Sequence, residues 1–259
     1  PLWLKIQKEE IQMRNLKRTL SLVMAMALIV GMMVVSASAV SSDFNDSAEI
    51  TNTEAVDVMT AIGVFEGTDK GAFDPTGILT REQAAAIICR MLLGDDAENL
   101  TTNSTVFSDV AADRWSAGYI GYCANAELIV GDGTNFYPDQ TVNGYQALAM
   151  ILRAMGYDAN DEFKGEGWEI RVASTAQQLT LLKNIGATSL SGNASREMVA
   201  EILFQAITKN TVAYTPALGY YTADLIDGIA TESLGYKTFG LEKNVGEITA
   251  VGYKAGTTT

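Results

Sequence analysis

One short pattern occurs three times in this chain, each time at the head of a segment with a single apolar stripe. It stands at Thr80-Arg81-Glu82-Gln83, followed by Ala84, Ile87, Ile88 and Met91. It returns at Asn143-Gly144-Tyr145-Gln146 ahead of Ala147, Met150, Ile151 and Ala154, and at Ser195-Arg196-Glu197-Met198 ahead of Val199, Ile202, Leu203 and Ala206. Apolar residues at i, i+3, i+4 and i+7 specify a helix with one buried face. A recurring unit of this kind cannot cover its stripe alone, so the copies must cover one another. Three such helices packed about a common centre are the expected core.

The residues opening each copy have local reasons to be there. The first N–H groups of a helix lack intrahelical partners. Thr80 can accept one of these bonds while Gln83 reaches back to the cap's own N–H, a capping box that Asn143 and Gln146 repeat. Ser195 keeps the cap, but Met198 cannot return the bond. Arg81 and Arg196 are different, because a cation at the first helical position gains nothing from the helix dipole. Two arginines placed against that trend are candidates for holding an anionic ligand.

The N-terminal stretch reads as a leader. Met13 precedes Arg14, Lys17 and Arg18, an apolar run from Leu20 to Val35 and the small-residue site Ala37-Ser38-Ala39. This order predicts a signal peptide within residues 1–39, with Met13 as initiator and cleavage after Ala39. An uncleaved anchor is the alternative reading. The chain carries a net charge of −13. Without residues 1–39, which hold five basic and two acidic side chains, 13 Lys and Arg face 29 Asp and Glu, a net −16. Such a surface repels nucleic acid and anionic membrane, so neither is expected as a partner once the leader is gone. A few clustered arginines can still hold an acidic glycan. The chain has no histidine, which removes the usual general base and the commonest metal ligand. Cys89 and Cys123 lie on apolar helix faces, as buried thiols or as a disulfide pair.

Three helix-loop-helix units are expected, at residues 43–95, 106–157 and 166–210, with a further region over 211–259. In the first, Thr51 and Glu54 read as another capping box, ahead of Ala55, Val58, Met59 and Ile62. The second opens on Phe107-Ser108-Asp109-Val110 and places Trp115, Tyr119, Ile120 and Cys123 on one face. Its loop, Gly131-Asp132-Gly133-Thr134-Asn135-Phe136-Tyr137-Pro138, has glycines that allow a tight turn, with Phe136 expected to plug the core. The third lacks the aromatic and the proline in its loop near Gly186–Asn193. Beyond Thr211 the chain turns β-prone, with a strand expected within Gly246–Tyr253.

These residues resemble the S-layer homology domain. Its repeat pairs a Phe-x-Asp-Val…Trp…Tyr-Ile opening with a Gly-x-Gly…Phe-x-Pro loop and a Thr-Arg-Ala-Glu helix start. The second unit matches at Phe107, Asp109, Val110, Trp115, Tyr119, Ile120, Gly131, Asp132, Gly133, Phe136 and Pro138, and the first at Thr80 and Arg81. The resemblance implies a mainly α, pseudo-threefold domain around a central three-helix bundle. It also implies non-covalent attachment to the bacterial cell wall, without catalysis and without a cofactor or metal. The implied partner is a secondary cell wall polymer, pyruvylated in many members, or peptidoglycan. Self-assembly into an S-layer would fall to sequence beyond Thr259. The glycan-binding residues implied are Arg81 with Thr80 and Gln83, Arg196 with Ser195, and Trp115, Asp132 and Gly133. Trp115 has a competing reading as a core residue, and Gly144 departs from the family's arginine.

Two other functions compete. A wall polysaccharide hydrolase needs two carboxylates across a cleft; Asp109, Asp132, Asp139 and Glu166 are available, but each reads as a turn or surface residue. The chain can instead anchor an enzyme encoded downstream. A calcium-dependent assembly protein is the third reading, although Asp132-Gly133-Thr134-Asn135 lacks the alternating ligands of an EF-hand loop.

Overall fold

Three buried backbone segments, each just ahead of a motif helix, close on one another in a ring. Leu79 N–H donates to Ala194 O (3.0 Å), Ala194 N–H to Val142 O (2.8 Å), and Val142 N–H to Leu79 O (3.0 Å). Their side chains are 0–1% exposed. Buried backbone groups must find partners, and here each segment finds them in the next, around a pseudo-threefold axis. The structure is a computed structural model and describes residues 40–101, 107–222 and 233–241. The expected leader and the strand within 246–253 lie outside the described residues.

The chain is mainly α. Helices α1 (Thr53–Ala61), α3 (Ala117–Asn125) and α5 (Trp168–Gln178) open the three repeats. The motif helices are α2 (Arg81–Leu93), α4 (Gly144–Ala154) and α6 (Arg196–Ile207). An antiparallel hairpin, β1 (Val212–Thr215) with β2 (Gly219–Thr222), and a short helix α7 (Leu234–Phe239) follow. The stripes of α2, α4 and α6 are buried throughout, apart from a half-buried Ala154, and α4 packs against both α2 and α6. Thr80–Gln83 and Asn143–Gln146 form complete capping boxes, and Ser195 caps Met198 N–H alone.

Sequence repeats and packing units are offset. Each opening helix packs on the motif helix of the preceding repeat: α3 on α2, α5 on α4, and α1 on α6, which closes the cycle. The second helical residue of each motif seals that contact. Glu82 takes Arg114 Nε at 2.7 Å, Arg114 Nη2 at 2.9 Å and the Ser116 hydroxyl at 2.5 Å. Tyr145 packs edge-on against Trp168, ring centroids 6.5 Å apart. Glu197 Oε1 accepts Thr51 N–H (2.6 Å), the Thr51 hydroxyl (2.9 Å) and Asn52 N–H (2.5 Å). The Thr51–Glu54 box therefore does not form. A carboxylate from the third repeat caps α1 instead, with its N-cap at Asn52.

Two further expectations resolve here. Trp115 is 56% exposed, against its reading on the buried face with Tyr119, Ile120 and Cys123. It precedes the first helical residue, Ala117, so helical phase does not apply to it, and it packs edge-on against Tyr119 at 6.0 Å. Cys89 and Cys123 are fully buried free thiols, their Sγ atoms 3.4 Å apart. The Cys123 contact, with burial, pushes the Cys89 thiol up.

Candidate functional site

The N-termini of the motif helices are already occupied. Arg81 N–H donates to Gln140 O (2.8 Å), Gly144 N–H to Gly192 O (3.0 Å) and Arg196 N–H to Gly77 O (2.9 Å), each a loop carbonyl of the next repeat in the cycle. Glu82 and Glu197 N–H likewise reach Pro138 O and Pro75 O. These groups are therefore not left free for an anion.

The two arginines follow the same rule with their side chains. Arg81 Nε donates to Phe136 O and Nη2 to Val130 O, both at 2.8 Å, with the guanidinium 4.5 Å from the Phe136 ring centroid. Arg196 Nε and Nη2 donate to Phe73 O and Glu66 O, both at 2.7 Å, with the guanidinium 5.1 Å from Phe73. Each fork staples the two ends of a neighbouring loop, which accounts for a cation placed against the helix dipole. Burial lowers both guanidinium pKa values, yet an arginine stays charged. At the equivalent place in the second repeat, a Cβ on Gly144 would lie 2.6 Å from Leu190 Cα. The third repeat's loop fills the space an arginine would need.

Arg81 also borders a cavity of about 270 Å³ between α4 and the segment leading into α5. Ile129, Phe136, Met150, Phe163 and Trp168 give it an apolar lining; Arg81, Arg153, Lys164 and Gln146 give it polar groups. Arg153, in the last turn of α4, is fixed by Asp158 (Nε–Oδ2 2.7 Å), and Lys164 Nζ stands 2.6 Å from Asp161 Oδ1. Arg171 holds the rim by donating to the carbonyls of Glu162 (2.5 Å), Lys164 (2.6 Å) and Glu166 (2.9 Å). Neither Asp158 nor Asp161 lines the cavity. An apolar floor with cations at the rim fits a sugar ring bearing a carboxylate.

Of the residues expected to hold a glycan, Arg81 alone lines this cavity. Thr80 and Ser195 are engaged as helix caps, and Gln83 returns its bond to Thr80. Arg196 lies in a different groove. Trp115 is exposed and packs on Tyr119, over whose ring the Arg90 guanidinium stands at 6.0 Å. Asp132 and Gly133 form an exposed turn: Asp132 accepts Thr134 N–H, Asn135 N–H and the Tyr137 hydroxyl, and Gly133 has φ +95°. Arg153, Lys164, Gln146 and Trp168 were missed as lining residues. One signal was legible, since Arg90 and Arg153 each stand nine residues after the first helical residue of their motifs.

The Asp132 turn gives a pH test. The Tyr137 hydroxyl, ahead of the two backbone N–H groups, holds the Asp132 carboxyl down at about 2, against an ordinary 3.8. A depressed carboxyl favours the ordered turn above pH 3.8, and that contribution is lost as pH falls through about 2. Tyr137→Phe is expected to raise the Asp132 midpoint toward 3.8 in a carboxyl-detected NMR titration. An unchanged midpoint would show that the tyrosine does not set it.

Residues 43–85 and 106–148 match the S-layer homology domain. The chain is 29% identical over 225 residues to a cell surface protein of Thermoanaerobacter kivui, covering 85% of this chain and 28% of that protein. It is 25% identical over 184 residues to the middle cell wall protein of Brevibacillus brevis, covering 71% and 17%. It is 26% identical over 185 residues to an amylopullulanase of Thermoanaerobacterium thermosulfurigenes, covering 64% and 10%. The chain thus spans less than a third of the length of each of these relatives.

Proposed function

We propose that this S-layer homology protein, a component of the cell wall and S-layer, anchors there by seating an acidic sugar of a secondary cell wall polysaccharide in the Arg81–Lys164–Trp168 cavity. The S-layer homology repeats and their occurrence in surface and cell wall proteins support the anchoring role. The finer reading rests on one observation. In a chain of net charge −13, the cavity is lined by three cations and an apolar floor, and by no carboxylate. A pyruvyl ketal on the polymer would present its carboxylate to the cations while the ring covers Trp168 and Met150. A retaining or inverting hydrolase requires two carboxylates across the cleft, which this lining does not supply. The amylopullulanase relative fits the same reading, with catalysis placed in another part of a longer chain.

Co-sedimentation with purified wall sacculi tests this, before and after hydrofluoric acid strips the phosphodiester-linked polymer. Lys164→Ala, at a half-exposed side chain, is expected to weaken sedimentation about tenfold, the scale of one partly screened charge contact. Trp168→Ala should weaken it further. Arg81→Lys is the informative change at Arg81, because it keeps the charge while losing the fork. Equal sedimentation with stripped walls, or with Lys164→Ala, refutes the acidic-polymer reading.

A further inference from the structure

The three repeat-to-repeat contacts are built on the same plan but not with the same charge, and this bears on how many sugars the chain can hold. Resting on the reading above, we infer that the grooves are not equivalent: the Arg81 groove alone takes an acidic sugar, and Glu66 is the residue that excludes it from the Arg196 groove. The repeat relationship places Glu66 where the second repeat has Val130, since Arg196 Nη2 donates to Glu66 O as Arg81 Nη2 donates to Val130 O. Val130 lines the Arg81 cavity as an uncharged side chain.

Glu66 brings a carboxylate to that position. It stands 3.3 Å from Arg90 Nη2, and Glu98 takes Arg90 Nε at 2.8 Å. Arg90 is the counterpart of Arg153, which pairs with one carboxylate, Asp158, so the cation bordering the cavity in one groove meets a second carboxylate in the other. Glu98 also accepts the Tyr119 hydroxyl at 2.9 Å, and Tyr119 in turn packs against Trp115, the counterpart of Trp168. Asp74 and Asp46 add negative charge around Arg196, whereas Asp109 alone does so around Arg81. Like charge juxtaposed across an interface suppresses the wrong ligand more effectively than a missing contact does. The third groove is closed by packing, because the Leu190 backbone occupies the approach to Gly144.

The two tryptophans report the two grooves separately. The full chain, labelled with ¹⁵N, is titrated with free N-acetylmuramic acid while the indole N–H resonances of Trp115 and Trp168 are followed. The Trp168 signal is expected to shift and saturate while the Trp115 signal stays still. In Glu66→Val, Trp115 should begin to respond, with at least about tenfold tighter apparent binding there. Glu66 is 67% exposed at its side chain and Arg90 keeps Glu98, so this variant retains its fold. Trp115 responding in the wild type as strongly as Trp168, or staying silent in Glu66→Val, overturns the inference while leaving the acidic-polymer reading in place. A silent Trp168 in both proteins overturns the inference and the choice of cavity together; polymer-dependent sedimentation would then survive independently.

Discussion

Restoring the family's arginine in the second repeat should damage the protein. Gly144→Arg is expected to destabilise it by about 3 kcal/mol or more, and Gly144→Ala by somewhat less, through overpacking against backbone. On helix propensity alone the alanine change would stabilise by up to about 1 kcal/mol, so the sign of the measurement decides which effect wins. A Cβ at this buried residue would lie 2.6 Å from Leu190 Cα, 2.9 Å from its carbonyl oxygen and 3.1 Å from its carbonyl carbon. Backbone on that side has little room to retreat: Gly144 N–H is bonded to Gly192 O, and Ala194 belongs to the central ring. At about 2–4 °C per kcal/mol for a domain of this size, thermal unfolding should fall by roughly 6–12 °C. Wall binding should gain nothing. An arginine variant with unchanged melting temperature would show that the third repeat's loop yields readily, and that the glycine is not required by packing.

That glycine shows where sequence reading reaches and where it stops. The stripes of α2, α4 and α6 and the caps at Thr80, Asn143 and Ser195 are local patterns, set within one or two helical turns, and all three are found as read. Gly144 departs visibly from its repeats, but the cause is the loop at Leu190, some forty-six residues on. The same limit explains Thr51. A box with Glu54 is the best local solution, yet Glu197 arrives from the third repeat with a carboxylate that binds three donors at once. Periodicity identifies which face of a helix is buried, not what buries it. The offset packing of each opening helix on the preceding repeat therefore had no signal in the stripes.

The candidate site was half legible for a related reason. Arg81 stood out because its position opposes the dipole, but its first partners are carbonyls of a neighbouring loop. The cations that share its cavity come from the end of α4 and from the Asp158–Gly167 connector, a segment without periodicity. That connector is held in place by Arg171 and Arg153 through backbone carbonyls, contacts that residue types alone do not reveal.

A chain that ends at Thr211 should be less stable by about 3–6 kcal/mol than one that ends at Leu241. The described parts of the further region expected over 211–259, residues 212–222 and 233–241, dock on the repeats. Val212 N–H donates to Met155 O (2.8 Å), Leu234 N–H to Lys209 O (3.0 Å), and the Thr238 hydroxyl to Leu92 O (3.1 Å). Helix α7 packs against α2 and α6, with Leu234 and Phe239 only 2% and 8% exposed. Burying two such side chains contributes about 1.5–3 kcal/mol each, which sets the estimate. Gly156 is fitted to this docking: it has φ +98°, and a Cβ there would lie 2.0 Å from Val212 O. The hairpin also braces the Arg81 cavity, because the Tyr220 hydroxyl accepts Ala159 N–H and donates to Glu162, both at 2.8 Å, on the connector that carries Lys164. Removing it should therefore weaken sedimentation with wall sacculi even at temperatures where the shortened chain stays folded. Matched melting temperatures for the two truncations would show that the repeats are complete without the hairpin and α7. A drop in melting temperature with undiminished wall binding would separate the stabilising role from the bracing role.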